Sequence, residues 1–506
     1  MHFVVSHVPA ALRAAALHIG LRASDRTGTV REDTHAEEGH MFENWSLNFY
    51  PMLIAPLLAV TLILAWLARP STTEVVPLGF RRFQLTYLSA WGLCVAADWL
   101  QGPYVYAIYA EYGFSKQDIA ALFVMGFASS MVFGSVVGII TDRYGRKRCA
   151  LLYCGLYVVS CATKHFKNYQ ILMVGRFTGG LATSLLFSCF ECWMVSEHVG
   201  RKKFSTGLLS YMFGLMYSTM YLVAIVSGFV AGVVAEGFKL HPLWEGSIVH
   251  VGGDTGPFDL AAICLIAGAV LISLTWEENF GEDNAEQNDK MLARLEDAFS
   301  LFRRDARIPL LGAIVACFEG AMYVFIFNWS PALKSAVIPP PYGLIFSLFM
   351  MACMSGTSVH TAMAEIMRPT FRLFTVFLLG MASLVTVSVL LGETSSAEDP
   401  AHGQHLMAIF LAFLLFEFAI GVYFPSVGIL KSEVVPERIR STVYNVYRVP
   451  LNAVVVGLLL SDVPLVHCYA LCACLLGVAF GAAAGLVVLD RRGSLAALGE
   501  GRGARK

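Results

Sequence analysis

The chain has 506 residues, of which 57% are hydrophobic and 14% are charged, and its formal net charge is -1. This apolar composition excludes an ordinary soluble domain and indicates a membrane protein embedded in a lipid bilayer. Because there is no global basic excess, no nucleic-acid partner is predicted.

Thirteen apolar windows are long enough to cross a bilayer core of about 30 Å as helices. The first, 51–68, predicts an extra N-terminal transmembrane helix after a tail at 1–50. A polar linker at 277–307 divides the other twelve into sets of six, at 83–276 and 308–490, and a cytoplasmic tail follows at 491–506. These twelve, called core segments 1 to 12, lie near 83–107, 118–140, 149–163, 170–195, 207–235, 259–276, 308–330, 343–363, 371–391, 406–430, 441–461 and 464–489.

The 36 Lys and Arg residues predict the orientation of these segments. Most of them fall in cytoplasmic segments if the link before core segment 1 is cytoplasmic. This assignment leaves Arg176 and Arg448 as the cations inside the spans. Within the linker, 291–302 predicts either an amphipathic helix on the membrane surface or an ordinary solvated helix.

The same orientation puts the N-terminal tail outside, where the triplet Asn44-Trp45-Ser46 fits a glycosylation acceptor. The first thirty residues carry several arginines among small apolar residues and also fit a cleaved targeting segment. Both interpretations stay open.

The stretch "GIITDRYGRKR" at the end of core segment 2 fits the pattern G-x-x-x-D-R-x-G-R-K. Its fixed positions are Gly138, Asp142, Arg143, Gly145, Arg146 and Lys147. We expect Gly138 to let another helix approach closely, and Gly145 to form a tight turn. The basic residues predict a cytoplasmic loop.

With this motif the sequence resembles the major facilitator superfamily, and "GRFTGG" adds a shorter match through Arg176 and Gly180. The resemblance implies an all-α membrane protein with the major facilitator fold. Its twelve core transmembrane helices form two six-helix bundles, here with the extra N-terminal helix. In that family the motif loop latches the two halves, and the first helix of each inverted three-helix repeat lines a central cavity.

Core segments 1, 4, 7 and 10 are those first helices, and each carries one embedded acid, namely Asp98, Glu191, Glu319 and Glu417. A carboxylate at this depth is costly and normally faces a cavity or a partner. Two interpretations stay open. The acids either pair with Arg176 and Arg448 to lock the bundle, or they carry protons along a transport path.

Arg448 shares one helical face with Ser441, Asn445 and Asn452, at steps of four, three and four, so we expect it to face inward. An arginine near the bilayer centre costs about 2.5 to 3.5 kcal/mol, whereas one hydrogen bond to a charged group returns about 1.5 to 3 kcal/mol. Arg448 therefore needs several partners, a wet cavity or an anionic ligand. Its fork of donors matches an oxyanion, and Tyr444 adds another donor.

Glycine and proline residues interrupt the predicted helices at the same membrane depth as these embedded charges. The stretches "DWLQGPYVY", "FNWSPAL" and "AIGVYFPSVG" predict breaks in core segments 1, 7 and 10, and Pro450 follows Arg448 closely. Non-helical backbone at membrane depth is tolerated where it lines a cavity. We therefore expect these breaks to border a binding site.

No phosphate-binding loop G-x-x-x-x-G-K-[ST] occurs in the sequence, so any transport is predicted to be secondary. No nucleophile with an adjacent base is visible, and the single C-x-x-C, Cys189 to Cys192, has no second pair. The sequence therefore predicts no enzyme, no cofactor and no metal site.

Five longer stretches resemble the molybdate-anion transporter branch of the major facilitators: "AADWLQGPYVYAIY", "GRFTGGLATSLLFSCFECW", "ACFEGAMYVFIFNWSPAL", "FEFAIGVYFPS" and "NVYRVPLN". This resemblance implies high-affinity molybdate uptake. We further predict alternating access in a multi-pass protein of the plasma membrane, although the sequence leaves open which membrane holds the protein. It identifies no binding residues. From the residues, the candidates are Arg448, Asn445, Asn452, Arg176 and Tyr444.

Three questions stay open at this point. One is whether protons are a second substrate. Another is whether the substrate is sulfate or an organic solute instead of molybdate. The last is whether the protein is a membrane sensor that does not transport.

Overall fold

The computed structural model describes residues 49–134, 136–280, 300–334, 340–364, 366–393, 400–436, 440–461 and 463–503. All of them belong to one compact unit, Trp45–Lys506. The glycosylation triplet, the alternative targeting segment and most of the predicted linker helix lie outside the described residues.

The part before the linker is helical apart from one short hairpin. Its helices are α1 Phe49–Leu67, α2 Phe80–Gln101, α3 Val105–Glu111, α4 Lys116–Gly134, α5 Val137–Tyr144, α6 Arg146–Thr163, α7 Tyr169–Val195, α8 Thr206–Gly237 and α9 Gly256–Thr275. The hairpin pairs β1 His241–Pro242 with β2 His250–Val251 between α8 and α9. Polar side chains cap two of the helices, Asn168 before α7 and Ser205 before α8.

The part after the linker is also helical. Its helices are α10 Arg307–Ala332, α11 Tyr342–Ala362, α12 Pro369–Gly392, α13 Pro400–Val434, α14 Arg440–Leu460 and α15 Leu465–Gly503. Helices are expected here because in hydrocarbon every backbone donor and acceptor must be bonded within its own segment.

Ten helical segments of the described residues are long and apolar enough to cross a bilayer. The other three predicted crossings fall on α2, α6 and α14. These are helical, but α2 and α6 carry several charged residues and the apolar part of α14 is only Val446–Leu460. The count of twelve core helices plus one therefore stays a prediction.

The predicted helix breaks have mixed outcomes. Helix α2 ends at Gln101 and continues as a short 3-10 turn, as expected, and α10 ends one residue after Pro331. The predicted interruption at Pro425 is wrong, because α13 runs through it without a break. Proline cannot bond the carbonyl four residues earlier, that of Gly421. Thr357 on α11 donates to this oxygen at 3.1 Å instead, which allows the helix to continue.

The helices before the linker pack mainly on one another: α2 lies on α8 and α9, α6 lies on α7 and α9, and α4 lies on α7. After the linker, α12 packs on α13 and α15, α11 packs on α13, and α10 packs on α14 and α15. We call these the first and second helix sets.

The two sets meet where α8 packs on α11 and where α4 packs on α14. Between α8 and α11 the backbones themselves touch. A Cβ atom at Gly343 would collide with the carbonyl oxygen of Gly228, and one at Gly228 would collide with Ser347 Oγ. Ser347 also donates a hydrogen bond to the carbonyl of Ile225 across this contact, at 2.8 Å. Small residues therefore permit a close approach of the two sets.

The extra helix α1 packs against α11 of the second set. The hydroxyl of Thr61 lies 3.2 Å from the carbonyl oxygen of Met351 and 3.0 Å from Ser355 Oγ. The link that follows α1 contacts the first set instead, because Ser205 at the start of α8 donates to the Glu74 carboxylate. The segment from α1 to α2 thus connects both sets.

Candidate functional site

Aromatic side chains close one end of the gap between the two helix sets. The ring centroid of Phe327 on α10 lies 5.5 Å from Tyr106 and 5.2 Å from Phe123, and Tyr323 lies 5.1 Å from Phe127. Two further pairs, Trp99 with Phe346 and Tyr104 with Tyr342, cross the same gap. This aromatic layer lies toward the end that the charge distribution predicts to be outside.

Arg448 lies on the other side of the aromatic layer, where its side chain is exposed. Its Nη1 is 3.3 Å from the position that a Cβ atom would take at Gly134 on α4, and Ser184 Oγ is 3.5 Å from that position. Tyr323 on α10 is close enough for the charge of Arg448 to act on its hydroxyl. Within the described residues the guanidinium makes no hydrogen bond or ion pair. The structure thus places an accessible cation between the two sets.

The other predicted donors on α14 contribute differently. Tyr444 lies one turn before Arg448, and the ammonium of Lys431 is 5.4 Å from its ring centroid. The amide of Asn452 donates to the carbonyl oxygen of Arg448 in its own helix, at 2.6 Å. The side chain of Asn445 lies outside the described residues.

Lys431 is the functional candidate that the sequence analysis missed. Its Nζ lies 3.3 Å from Glu319 Oε1, and the hydroxyl of Tyr423 donates to the same oxygen at 3.3 Å. The prediction ended core segment 10 at residue 430, but α13 continues to Val434, so Lys431 is part of this helix. Pro436, a residue that commonly follows a helix end, was the signal for the longer helix.

Arg176 lies apart from Arg448. Its Nε donates to the carbonyl of Leu122 at 3.2 Å, and its guanidinium packs on Phe123 and Gly126. On α4, Gly126 lies beside Arg176 and Gly134 lies beside Arg448. About 12 Å of helix separates the two glycines. The structure therefore does not bring the two arginines together around one small anion.

The four predicted acids have different surroundings. Asp98 accepts a hydrogen bond from Tyr157 inside the first set. In the described part of the chain, Glu191 and the 6% exposed Glu417 have neither a hydrogen bond nor an ion pair. Glu319 pairs with a cation, but that cation is Lys431. Among the described residues, none of the four acids contacts Arg176 or Arg448. No contact therefore supports the interpretation in which the acids pair with the two arginines.

The motif loop after α5 turns at Gly145, whose φ is 99°. This left-handed conformation agrees with the predicted tight turn. The loop is held by the carboxylate of Glu278, which accepts from the backbone N–H of Lys147 at 2.7 Å and of Arg148 at 3.1 Å. An acidic group is favourable there because it faces the N-terminus of α6.

The other motif residues contact neighbours of the first set. Arg146 pairs with Asp142 at 2.7 Å, and the ammonium of Lys147 donates to the carbonyl of Ser273 at 2.9 Å. Arg143 lies over the ring of Tyr144. The expectation that Gly138 permits close helix packing is wrong, because no atom of the described residues lies within 4 Å of a Cβ at that position.

No three His, Cys, Asp or Glu side chains gather as metal ligands within the described ranges. The arrangement around Arg448 and Lys431 instead offers two cations, tyrosine hydroxyls and one carboxylate. Such a set can bind a small anion and exchange a proton.

A family model described as sugar transporters with 12 transmembrane segments matches residues 49–411. A protein named molybdate-anion transporter from Xenopus laevis is 36% identical over 375 residues, which cover 74% of this chain and 77% of that protein. This chain belongs to the molybdate-anion transporter family of the major facilitator superfamily. The resemblance found in the sequence is thereby confirmed.

A second relative and a solved structure agree with this assignment. A protein of the same name from Danio rerio is 34% identical over 410 residues, covering 76% of this chain and 80% of that protein. A solved POT family transporter in complex with 5-aminolevulinic acid superposes with a TM-score of 0.60 at 14% identity, over 84% of this chain and 98% of that chain. This structural likeness shows the fold alone. The protein is therefore a multi-pass membrane transporter and not an enzyme, as predicted.

Proposed function

We propose that this protein takes up molybdate with high affinity, by alternating access between two six-helix bundles at 83–276 and 308–490. In this proposal twelve core helices and the extra helix α1 cross the plasma membrane. The relatives named molybdate-anion transporter support the substrate. The observation that carries the proposal is the accessible guanidinium of Arg448 between the two sets, opposite Gly134.

The anion is held first by charge. At an effective dielectric constant of about 20, a dianion about 4 Å from one guanidinium gains about 8 kcal/mol, before its desolvation is subtracted. Arg448 offers a planar fork that matches two oxygens of a tetrahedral oxyanion. Lys431 supplies the second charge near Tyr444. In this proposal Arg448 on α14 and Lys431 on α13 together neutralise the dianion.

Protons enter through Glu319 in this proposal. The ionised carboxylate competes with molybdate for Lys431, whose Nζ lies 3.3 Å away. Once Glu319 is protonated, Lys431 is free to bind the anion, and release of both ligands on the cytoplasmic side restores the ion pair. Asp98, Glu191 and Glu417 are not next to these cations, so we assign the coupling to Glu319.

Substitution Arg448→Lys tests the proposal, because lysine keeps the charge but loses the fork. We expect the KM for labelled molybdate uptake into proteoliposomes to rise about 10- to 100-fold, which corresponds to one charged hydrogen bond of about 1.5 to 3 kcal/mol. Arg307→Lys is the matched control, because Arg307 pairs with Asp305 at the start of α10.

An unchanged KM in Arg448→Lys would contradict the anchoring role. Absence of molybdate flux in the wild-type protein would contradict the proposed function itself. Competition by sulfate, tungstate and sugars in the same vesicles identifies the substrate, since molybdate uptake that is blocked by tungstate alone supports a molybdate carrier.

A further inference from the structure

One face of α4 contacts the second helix set near both ends of the helix. Phe123, Phe127, Ser130 and Gly134 follow one another at steps of four, three and four, which places them on one side of the helix. The first two contact α10 in the aromatic layer, and Gly134 lies beside Arg448. Ser130 therefore lies between the aromatic layer and the guanidinium.

A second serine, Ser184 on α7, lies beside Ser130. The two Oγ atoms are 3.0 Å apart, and the Ser184 hydroxyl donates to the carbonyl oxygen of Ser130 at 2.8 Å. A serine hydroxyl has one hydrogen to donate. With the Ser184 hydrogen used on this carbonyl, the Ser130 hydrogen is the one that can turn from Ser184 Oγ toward a ligand.

Gly134 keeps the space between these serines and Arg448 open. Arg448 Nη1 and Ser184 Oγ both lie within 3.5 Å of the position that a Cβ atom would occupy at Gly134. Both groups therefore lie close to the bare backbone of α4 at Gly134. The gap is thus bordered by a hydroxyl of the first helix set and a cation of the second.

We propose that Ser130 and Ser184 form the second wall of the oxyanion site, opposite Arg448, and that Gly134 sets its width. This inference rests on the proposed function. A tetrahedral oxyanion then binds Arg448 of the second set through some of its oxygens and Ser130 of the first set through another. Because one ligand bonds both sets, its binding draws α4 toward α14 and favours closure around it. The width at Gly134 selects between tetrahedral anions of different size.

The test compares the KM for molybdate and the inhibition constant for sulfate in proteoliposomes containing the full-length protein. We expect Ser130→Ala and Ser184→Ala each to raise the KM for molybdate about tenfold. We expect Ser184→Thr, which keeps the hydroxyl, to stay near the wild-type value. Thr178→Ala is the matched control on α7, because its hydroxyl bonds only the carbonyl of Gly175 among the described residues.

Gly134→Ala tests the width separately. The added methyl group narrows the gap, so we expect it to weaken molybdate more than the smaller sulfate and to shift their ratio about fivefold. Gly457→Ala on α14 is its control, since a Cβ there has no neighbour within 4 Å in the described part of the chain.

The outcomes separate the two proposals. Wild-type vesicles that do not take up molybdate would overturn the proposed function and, with it, this inference. Wild-type uptake combined with an unchanged KM in both alanine variants would overturn the serine wall alone. An unchanged molybdate to sulfate ratio in Gly134→Ala would overturn the role of width. Gel filtration of each detergent-solubilised variant separates a loss of folding from a loss of binding.

Discussion

Replacing Glu319 with glutamine removes one negative charge beside Lys431 while conserving the size of the side chain. In the wild-type protein the two groups are 3.3 Å apart, and their side chains are only 17% and 18% exposed. The ionised carboxylate both occupies Lys431 and repels an incoming dianion. Glutamine imitates the protonated acid permanently, so it should relieve both effects.

The size of the effect follows from the charges. At an effective dielectric constant of about 20, a dianion and a carboxylate about 8 Å apart repel each other by about 4 kcal/mol. Water and salt in the accessible gap around Arg448 reduce this repulsion. We expect about 1.4 kcal/mol to remain, which lowers the KM for molybdate about tenfold in Glu319→Gln.

The assay measures initial rates of labelled molybdate uptake into proteoliposomes, with and without an inward proton gradient. A gradient should accelerate the wild-type protein and leave Glu319→Gln unaffected, because glutamine cannot take up the proton. Glu393→Gln is the matched control, since it removes an equal charge at the end of α12, where Glu393 pairs with His405.

Two results would refute the coupling role of Glu319. One is a gradient that accelerates Glu319→Gln as strongly as the wild-type protein. The other is a KM that does not fall, because the carboxylate would then not compete with the anion.

Two further predictions concern stability, measured as the midpoint of thermal unfolding in detergent. Gly145→Ala should lower it by an amount that corresponds to about 1 to 3 kcal/mol, because φ is 99° there and the new Cβ would lie 2.5 Å from Glu278 Cδ. The control Gly155→Ala, with open space inside helix α6, should not lower it. His165 donates a hydrogen bond to Asp259 at 2.8 Å, and this bond raises the pKa of His165. The charged pair therefore stabilises the fold fully below the ordinary histidine pKa of about 6.5. This stabilisation is lost as pH rises through the raised pKa of His165. Asp259→Asn should therefore lower the midpoint near pH 6 and not near pH 9, whereas an equal loss at both pH values would contradict the assignment.

The order of the helices could be predicted because the apolar windows are long and the polar linker is the longest polar stretch between core segments. The exact helix ends could not. Helix α13 runs through Pro425 because Thr357 of another helix bonds the freed carbonyl of Gly421. A partner 64 residues away along the chain leaves no trace in the local pattern.

Part of the candidate site could also be predicted. Arg448 could be predicted because it lies in a polar stripe on α14 and needs a counter-charge that its own segment does not supply. Lys431 was missed because the predicted apolar segment was ended just before this lysine. A lysine can nevertheless continue the helix when it forms an ion pair with an acid of another helix, as Lys431 does with Glu319. The separation of Arg176 from Arg448 depends on how α7 and α14 are placed along α4, and only the tertiary structure shows this.

The backbone contact between α8 and α11 has a mechanical consequence if the two sets rock as proposed. Gly228 and Gly343 touch without side chains between them, so this point can act as a fulcrum. The first residue of α8, Thr206, is twenty-two residues from Gly228, a lever arm of about 33 Å. A tilt of about 10° at the fulcrum would move that distant end by about 6 Å, while the glycines themselves barely shift.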